Sequence, residues 1–424
     1  MTEHQPCPPR RTRFIDILNA GLGSARALGL MRPPVLEKGA LMAQARAHAG
    51  LDDFGDPWFE RPLEVLLDAV HRQARLNAAG EWSAMQQCVK VLVDRLWAEQ
   101  WFKDYPEILA RPLPRPVIVI GPMRSGTTRI HRLLSADHRF NHLRSFETIS
   151  PVLRPGFTFG GPDFRVTLAE RIMKVARLAN PRTLTIHPTG PLEPEEELGL
   201  LVSSFWGMKH EAQWWVPDYG RWCEAQDATP AYAQMARLLR LIGWSQQASS
   251  LRPWVLKTPQ HMLDLPALLR VFSDARLIFT HRDPLAVVGS AASLAWNQTI
   301  IYSDHAAPAR IGREWLCKTR LQVDRMRAAR AQIAPERQID IHYEEMERDW
   351  QGAMARIYRF LGLDLAPALP AMVAYQERAA GLKRRPHDYN LEQFGLTPER
   401  VLAELGDYVR SFGIAMEEQS AALG

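Results

Sequence analysis

Apolar residues recur along the chain with two periods, and the switch between them divides it. Residues 14–30 and 34–49 carry helical spacing, the second run opening at Pro33-Pro34 and stopping at Gly50. Leu63, Leu66, Leu67 and Val70, then Met85, Val89, Leu92 and Leu96, form two stripes at 3.6-residue spacing either side of Ala79-Gly80. That pattern predicts a helical hairpin, with Trp97, Trp101 and Phe102 thickening the core side of its second helix. The prolines of Arg111-Pro112-Leu113-Pro114-Arg115-Pro116 enforce an extended connector. The chain is therefore expected to divide into an N-terminal helical region over 1–113 and a core over 114–424.

Beyond the connector, short β-branched or apolar runs alternate with helical stripes. Strands are expected at 117–120, 254–257, 276–282 and 338–343, and helices at 261–272, 285–295, 310–332 and 354–361. Strands separated by helices imply a parallel sheet with helices on both faces, an α/β fold of P-loop type. Residues 150–250 interrupt the alternation as a helical insertion that would shape an acceptor site. It holds a Gly/Pro-rich surface loop at 151–162, a helix at 164–180 and the acidic Pro194-Glu195-Glu196-Glu197. These carboxylates are expected in a first helical turn, where the macrodipole favours them, with a part in the acceptor pocket as the lesser reading. Trp206, Trp214, Trp215, Trp222 and Trp244 fit an apolar acceptor cleft and a plain core equally well.

Composition narrows the class without choosing a ligand. The chain has 424 residues, 46% hydrophobic and 23% charged, and a net charge of +5, so it is long enough for a large core and mildly basic. No basic tract with interleaved aromatics points to nucleic acid. Cys7, Cys88, Cys223 and Cys317 are too scattered for a zinc site or a disulfide framework. No apolar run is long enough for a membrane span, and the start lacks a signal-peptide pattern. A cytoplasmic, metal-free protein is expected.

The chemistry concentrates after the first predicted strand, in Gly121-Pro122-Met123-Arg124-Ser125-Gly126-Thr127-Thr128. Glycines at this spacing let backbone N–H groups converge on an anion at a helix N-terminus. A nucleoside triphosphatase would carry a lysine where Thr127 stands; here the cation has moved into the turn, to Arg124. Lys257, Arg282 and Tyr343 also fall at or just beyond predicted strand ends, the edge at which open parallel sheets bind ligands.

The loop resembles the 5′-phosphosulfate loop of sulfotransferases, enzymes that use 3′-phosphoadenosine 5′-phosphosulfate (PAPS) as sulfuryl donor. Arg282 and Ser290 resemble the family's Arg-x7-Ser 3′-phosphate site, Tyr343-Glu344-Glu345 its segment beside the adenine, and Lys383-Arg384-Arg385 its C-terminal basic segment over the donor. Leu51-Asp52-Asp53-Phe54-Gly55, the loop, the Pro-Glu-Glu segment, Lys257-Thr258-Pro259, His281-Arg282-Asp283-Pro284 and Leu391-Glu392-Gln393-Phe394-Gly395-Leu396 follow one another as in a bacterial-type group of that family. The resemblance runs from about residue 40 to 410.

It implies transfer of a sulfuryl group to a hydroxyl, or less readily an amine, of a small-molecule, lipid or carbohydrate acceptor. Arg124, Ser125, Gly126, Thr127 and Thr128 would hold the donor's sulfated end. Arg124 and Lys257 would stabilise charge as its bond to phosphate breaks. Two bases are implied: Glu147, where protein-tyrosine sulfotransferases place a glutamate, and His261, offset by Pro259-Gln260 from the place cytosolic members use. A P-loop small-molecule kinase and a non-catalytic nucleotide-binding descendant are the rival readings.

Overall fold

The computed structural model describes residues 11–183, 188–381 and 390–417. Four strands, β1 (Val117–Ile120), β2 (Val255–Lys257), β3 (Arg276–His281) and β4 (Gln338–His342), form one parallel sheet in the order β2-β1-β3-β4. Side chains alternate across it. Ile118, Ile120, Leu277 and Phe279 enter the larger core, while Val117, Val119, Ile278 and Ile341 enter a second core on the opposite face. Helices cover both faces. The helix Thr127–Ser135 supplies Ile130, Leu133 and Leu134 to the smaller core, and Trp350–Leu361 supplies Met354 and Ile357.

From β1 the chain crosses to β2 on one side, and β3 leads to β4 on the other. The two connections leave the sheet in opposite directions between the adjacent strands β1 and β3. That is the position at which a crevice opens beyond the strand ends.

The N-terminal helices run Arg13–Ala27, Lys38–Ala49, Glu60–Ala69 and Ala78–Asp104. Leu41, Leu63, Leu66, Leu92 and Leu96 join the same core as Ile118 and Ile120, so the helical region is packed onto the sheet. The expected break at Ala79-Gly80 lies instead at 70–77, where a π-turn at Val70–Ala74 ends in left-handed Arg75. Asn77 then caps the next helix through the Gly80 amide. Gly80 sits inside that helix because a Cβ would come within 2.3 Å of the Tyr302 carbonyl oxygen. The glycine marks a close helix crossing, not a turn.

The helix after β3 is longer than its apolar pattern suggested, Pro284–Tyr302, and the acidic segment precedes the short helix Leu198–Leu201 instead of starting it. Among the tryptophans, Trp206 and Trp214 are fully buried core. Trp244 packs at the edge of the same core in a ring cluster with Trp101 and Tyr105. No described helix is long and apolar enough to cross a membrane.

Candidate active site

The loop is held by close approach. A Cβ on Gly121 would lie 2.0 Å from Thr280 Oγ1, so only glycine lets β1 end against the end of β3. Arg124 (φ 70°) and Gly126 (φ 85°) both adopt left-handed backbone, the conformation from which anion-binding nests are built, and the Ser125 amide between them donates to the Pro122 carbonyl at 3.2 Å. The helix Thr127–Ser135 starts immediately after, and the first amides of a helix have no partner within it. Ser125 is turned away from this concavity: its hydroxyl contacts Thr280 Oγ1 at 2.6 Å and donates to the Pro122 carbonyl at 2.8 Å. It braces the loop against β3.

Arg282 lies on the same edge as the loop. Its Nη1 donates to the Arg124 carbonyl at 2.7 Å, and its guanidinium sits 3.9 Å above the Tyr343 ring centroid. Tyr343 in turn bounds the loop, since a Cβ on Gly126 would touch its ring at 3.0 Å; burial raises the phenol pKa. The remaining edge of the Arg282 fork grips Glu417, Nε to Oε1 at 2.5 Å and Nη2 to Oε2 at 2.9 Å. The tail is anchored there by the Glu417 amide donating to Asp283 at 2.9 Å. Asp283 also caps the helix Pro284–Tyr302 through the Leu285 amide, and Ser290 is buried two turns along it.

Beneath Arg282 the strand end is fixed by a network. His281 contacts Asp340 at 2.7 Å and the Tyr408 hydroxyl at 2.9 Å, and Arg330 clamps Asp340 with two bonds of 2.6 and 2.9 Å. The helix Pro398–Phe412, which carries Tyr408, thereby delivers the tail to Arg282.

Lys257 ends β2 with its side chain 1% exposed. Its Nζ lies 3.3 Å from Thr128 Oγ1 on the loop helix and is paired with the Glu196 carboxylate. The neighbouring Glu197 is fully buried, accepts from the Lys257 amide at 2.8 Å and pairs with His261 Nε2. His261 Nδ1 is engaged by the Tyr232 hydroxyl at 2.8 Å. The acidic stretch is thus built into the site: Glu196 meets the ammonium group, while Glu197 and His261 fix the strand end that carries it. Both imidazole nitrogens of His261 face buried partners, which gives the ring a positioning role.

Glu147 stands in a different environment from the one a general base needs. It is fully buried, and its two oxygens accept from the Arg144 amide at 2.8 Å, Arg144 Nη2 at 2.6 Å, and Gln246 at 3.0 and 2.9 Å. By accepting from the Arg144 amide it reaches back over the N-terminus of the helix Ser145–Ile149 and caps it. A carboxylate saturated in this way is a structural fastener, so the expectation of Glu147 as base gives way to a capping role. Lys383, Arg384 and Arg385 lie outside the described residues.

Sequence reasoning missed two groups. Glu417 sits in an unremarkable acidic tail with no motif around it. His131 is one turn beyond Thr127 on the loop helix, 1% exposed, with no hydrogen-bond partner at either ring nitrogen. Burial, and after it the Lys257 charge, hold its pKa well below the usual histidine value. A neutral imidazole without hydrogen-bond partners, next to the charge of Lys257, is the kind of signal that an apolar helical stripe conceals.

Comparisons with known proteins agree with this geometry. Residues 116–367 match the sequence model of the sulfotransferase family. The chain is 24% identical over 299 residues, 67% of its length and 72% of the relative's, to the omega-hydroxy-beta-dihydromenaquinone-9 sulfotransferase Stf3 of Mycobacterium tuberculosis. The crystal structure of sulfotransferase STF1 from the same organism matches with a TM-score of 0.77 at 32% identity, over 89% of this chain and all of that one. STF9 from Mycobacterium avium matches with a TM-score of 0.80 at 26% identity, over 91% and 99%. The loop after β1, the arginine after β3 and the lysine that ends β2 all lie within the matched span, and the chain is a member of the sulfotransferase family.

Proposed function

We propose that this sulfotransferase takes PAPS as donor, bound across the β1–β3 crevice, and transfers its sulfuryl group to a hydroxyl of an apolar acceptor. The observation that carries this reading is the Arg282 fork. It touches the loop at the Arg124 carbonyl and holds a carboxylate by two of its nitrogens. A bidentate guanidinium suits the 3′-phosphate dianion equally, and the nest at Arg124 to Thr128 suits the phosphosulfate. Tyr343 provides the ring between them, and Ser290 completes the Arg-x7-Ser spacing.

The donor supplies an activated sulfuryl group: its sulfur–oxygen bond to phosphate breaks, one to the acceptor oxygen forms, and 3′,5′-adenosine bisphosphate leaves. Lys257 and Arg124 stabilise the charge that develops on the departing phosphate, in a site where burial strengthens that interaction. The acceptor's proton goes to a carboxylate, and Glu196 is the one placed for it. It is paired to Lys257 and is part-exposed, whereas Glu147 and Glu197 are buried with their oxygens engaged. His261 and Glu197 position Lys257.

An apolar acceptor is favoured by two observations. Stf3 is named for a menaquinone-derived acceptor. The ring cluster of Trp101 and Tyr105 from the N-terminal helices with Phe159 and Trp244 from the insertion, Tyr105 and Phe159 being exposed, offers an apolar platform where the two regions meet. The test is transfer of labelled sulfate from PAPS to a panel of hydroxylated polyprenyl, steroid and phenolic compounds. Wild type is expected to label an apolar alcohol, with Glu196→Gln and Lys257→Ala each slower by roughly 10²- to 10⁴-fold in kcat. Undiminished turnover in Glu196→Gln would remove that residue as base.

A further inference from the structure

We propose that the helices Arg13–Ala27 and Phe164–Ala179 form a docking face for an anionic lipid bilayer. The two helices lie together: Thr12 at the start of the first donates from its hydroxyl to the Leu178 carbonyl at 2.7 Å and from its amide to the Ala179 carbonyl at 3.3 Å. Ile15 and Ala179 are buried with Ile301 at the end of the helix Pro284–Tyr302. The first helix buries only Ile15, and the second only Arg165, Ala169 and Ala179.

What they leave outside is apolar at helical spacing. Phe14, Ile17 and Leu18 form a stripe on one helix and Ile172, Val175 and Leu178 on the other, with Ile17 at 72% exposure. Beyond the first helix the chain continues with exposed Leu28, Leu30 and Val35. Trp82, also exposed, sits beside the Arg26–Glu81 ion pair of 2.6 Å that ties this segment to the helix Ala78–Asp104. Ten of the seventeen exposed large apolar side chains among the described residues lie on these two helices and the segments adjoining them, the concentration expected of an interaction surface.

Charge selects the occupant. Arg13, Arg32, Arg171, Lys174 and Arg177 are exposed on these same segments, against exposed Asp16 and Glu170, and Asp16 is already paired with Arg11 at 2.7 Å. A second copy of the chain meeting this face through a two-fold axis would set like charges against each other. Anionic headgroups would compensate them while acyl chains receive the apolar stripe. Apolar stripes, flanking Lys and Arg, and a tryptophan at the margin are what a helix lying in the interface plane requires.

The experiment is co-sedimentation of the full chain with phosphatidylcholine vesicles, with and without one third phosphatidylglycerol. The expected result is binding to the anionic vesicles, weakened by salt. Arg171→Glu with Lys174→Glu should lower partitioning at least about fivefold for each cation removed, and Ile17→Glu with Val175→Glu should abolish it. Sulfuryl transfer to a short soluble acceptor should stay at the wild-type rate in all these variants, showing that they fold. Equal partitioning of wild type and variants, or none by wild type, would overturn the proposal. So would sedimentation equilibrium showing a wild-type dimer that Ile17→Glu with Val175→Glu dissolves.

Discussion

Arg282 and Glu417 carry the most specific consequence of the structure at the level of single residues. The carboxylate occupies the guanidinium edge proposed to take the donor's 3′-phosphate, so donor binding must exchange one anion for the other. Glu417→Gln removes the competing charge and is expected to tighten 3′,5′-adenosine bisphosphate severalfold while leaving adenosine 5′-monophosphate unchanged. Isothermal calorimetry on the two nucleotides reads both. Equal tightening of both, or weaker bisphosphate binding, would show that Glu417 does not compete at that edge. The sequence made Arg282 legible because it follows a β-branched run and precedes Asp-Pro, a strand end and helix start. Glu417 was not legible, because its position depends on how the helix Pro398–Phe412 docks on His281. The choice of base was misread for a related reason. The resemblance to protein-tyrosine sulfotransferases pointed to Glu147, but only the fold shows Arg144 and Gln246 engaging both its oxygens.

At the level of elements, the junction of β1 and β3 sets the site. Gly121→Ala would push a methyl group into Thr280, whose hydroxyl and backbone oxygen lie 2.0 and 2.9 Å from the built Cβ. The expected cost is roughly 1–3 kcal/mol in stability, with a larger relative loss of nucleotide affinity because the loop must shift. Gly39→Ala is the control: it lies in the helix Lys38–Ala49 with nothing within 4 Å of its Cβ. It should stabilise by about 0.5–1 kcal/mol. Thermal melts of both variants beside bisphosphate titrations separate the two effects, and equal behaviour of the two glycines would contradict the close-approach argument. The strands and this loop were readable from alternation and turn chemistry. The hairpin break was not, because Gly80 reads as a turn residue until Tyr302 is seen against it.

At the level of the whole molecule, buried neutral histidines couple folding to pH. Burial lowers the pKa of His210 from 6.5 to about 3, and burial also depresses His131, His142 and His281. Above pH 6.5 neither folded nor unfolded chain protonates these rings. As pH falls from 6.5 toward 3 the unfolded chain takes up a proton at His210 that the folded chain refuses, so stability is lost in that window by about 1.4 kcal/mol per pH unit for this group, and the other three rings act in the same direction. His210 stacks on Trp214 at 5.0 Å with no hydrogen-bond partner, so His210→Phe keeps the stack and removes the titration. Melting temperature should fall less between pH 7 and pH 5 in that variant than in wild type. An identical fall would mean that His210 is not protonated on unfolding alone.

One crevice is proposed to recognise a nucleotide by both its ends. The most direct measurement is calorimetric titration of the full chain, in chelator, with 3′,5′-adenosine bisphosphate and then adenosine 5′-monophosphate, for wild type and Arg282→Ala. The prediction is micromolar bisphosphate binding without magnesium, a much weaker monophosphate, and a loss of roughly 10- to 100-fold for bisphosphate alone in the variant. Equal affinity for the two nucleotides in wild type, or tighter binding of Mg-ATP than of the bisphosphate, would contradict it.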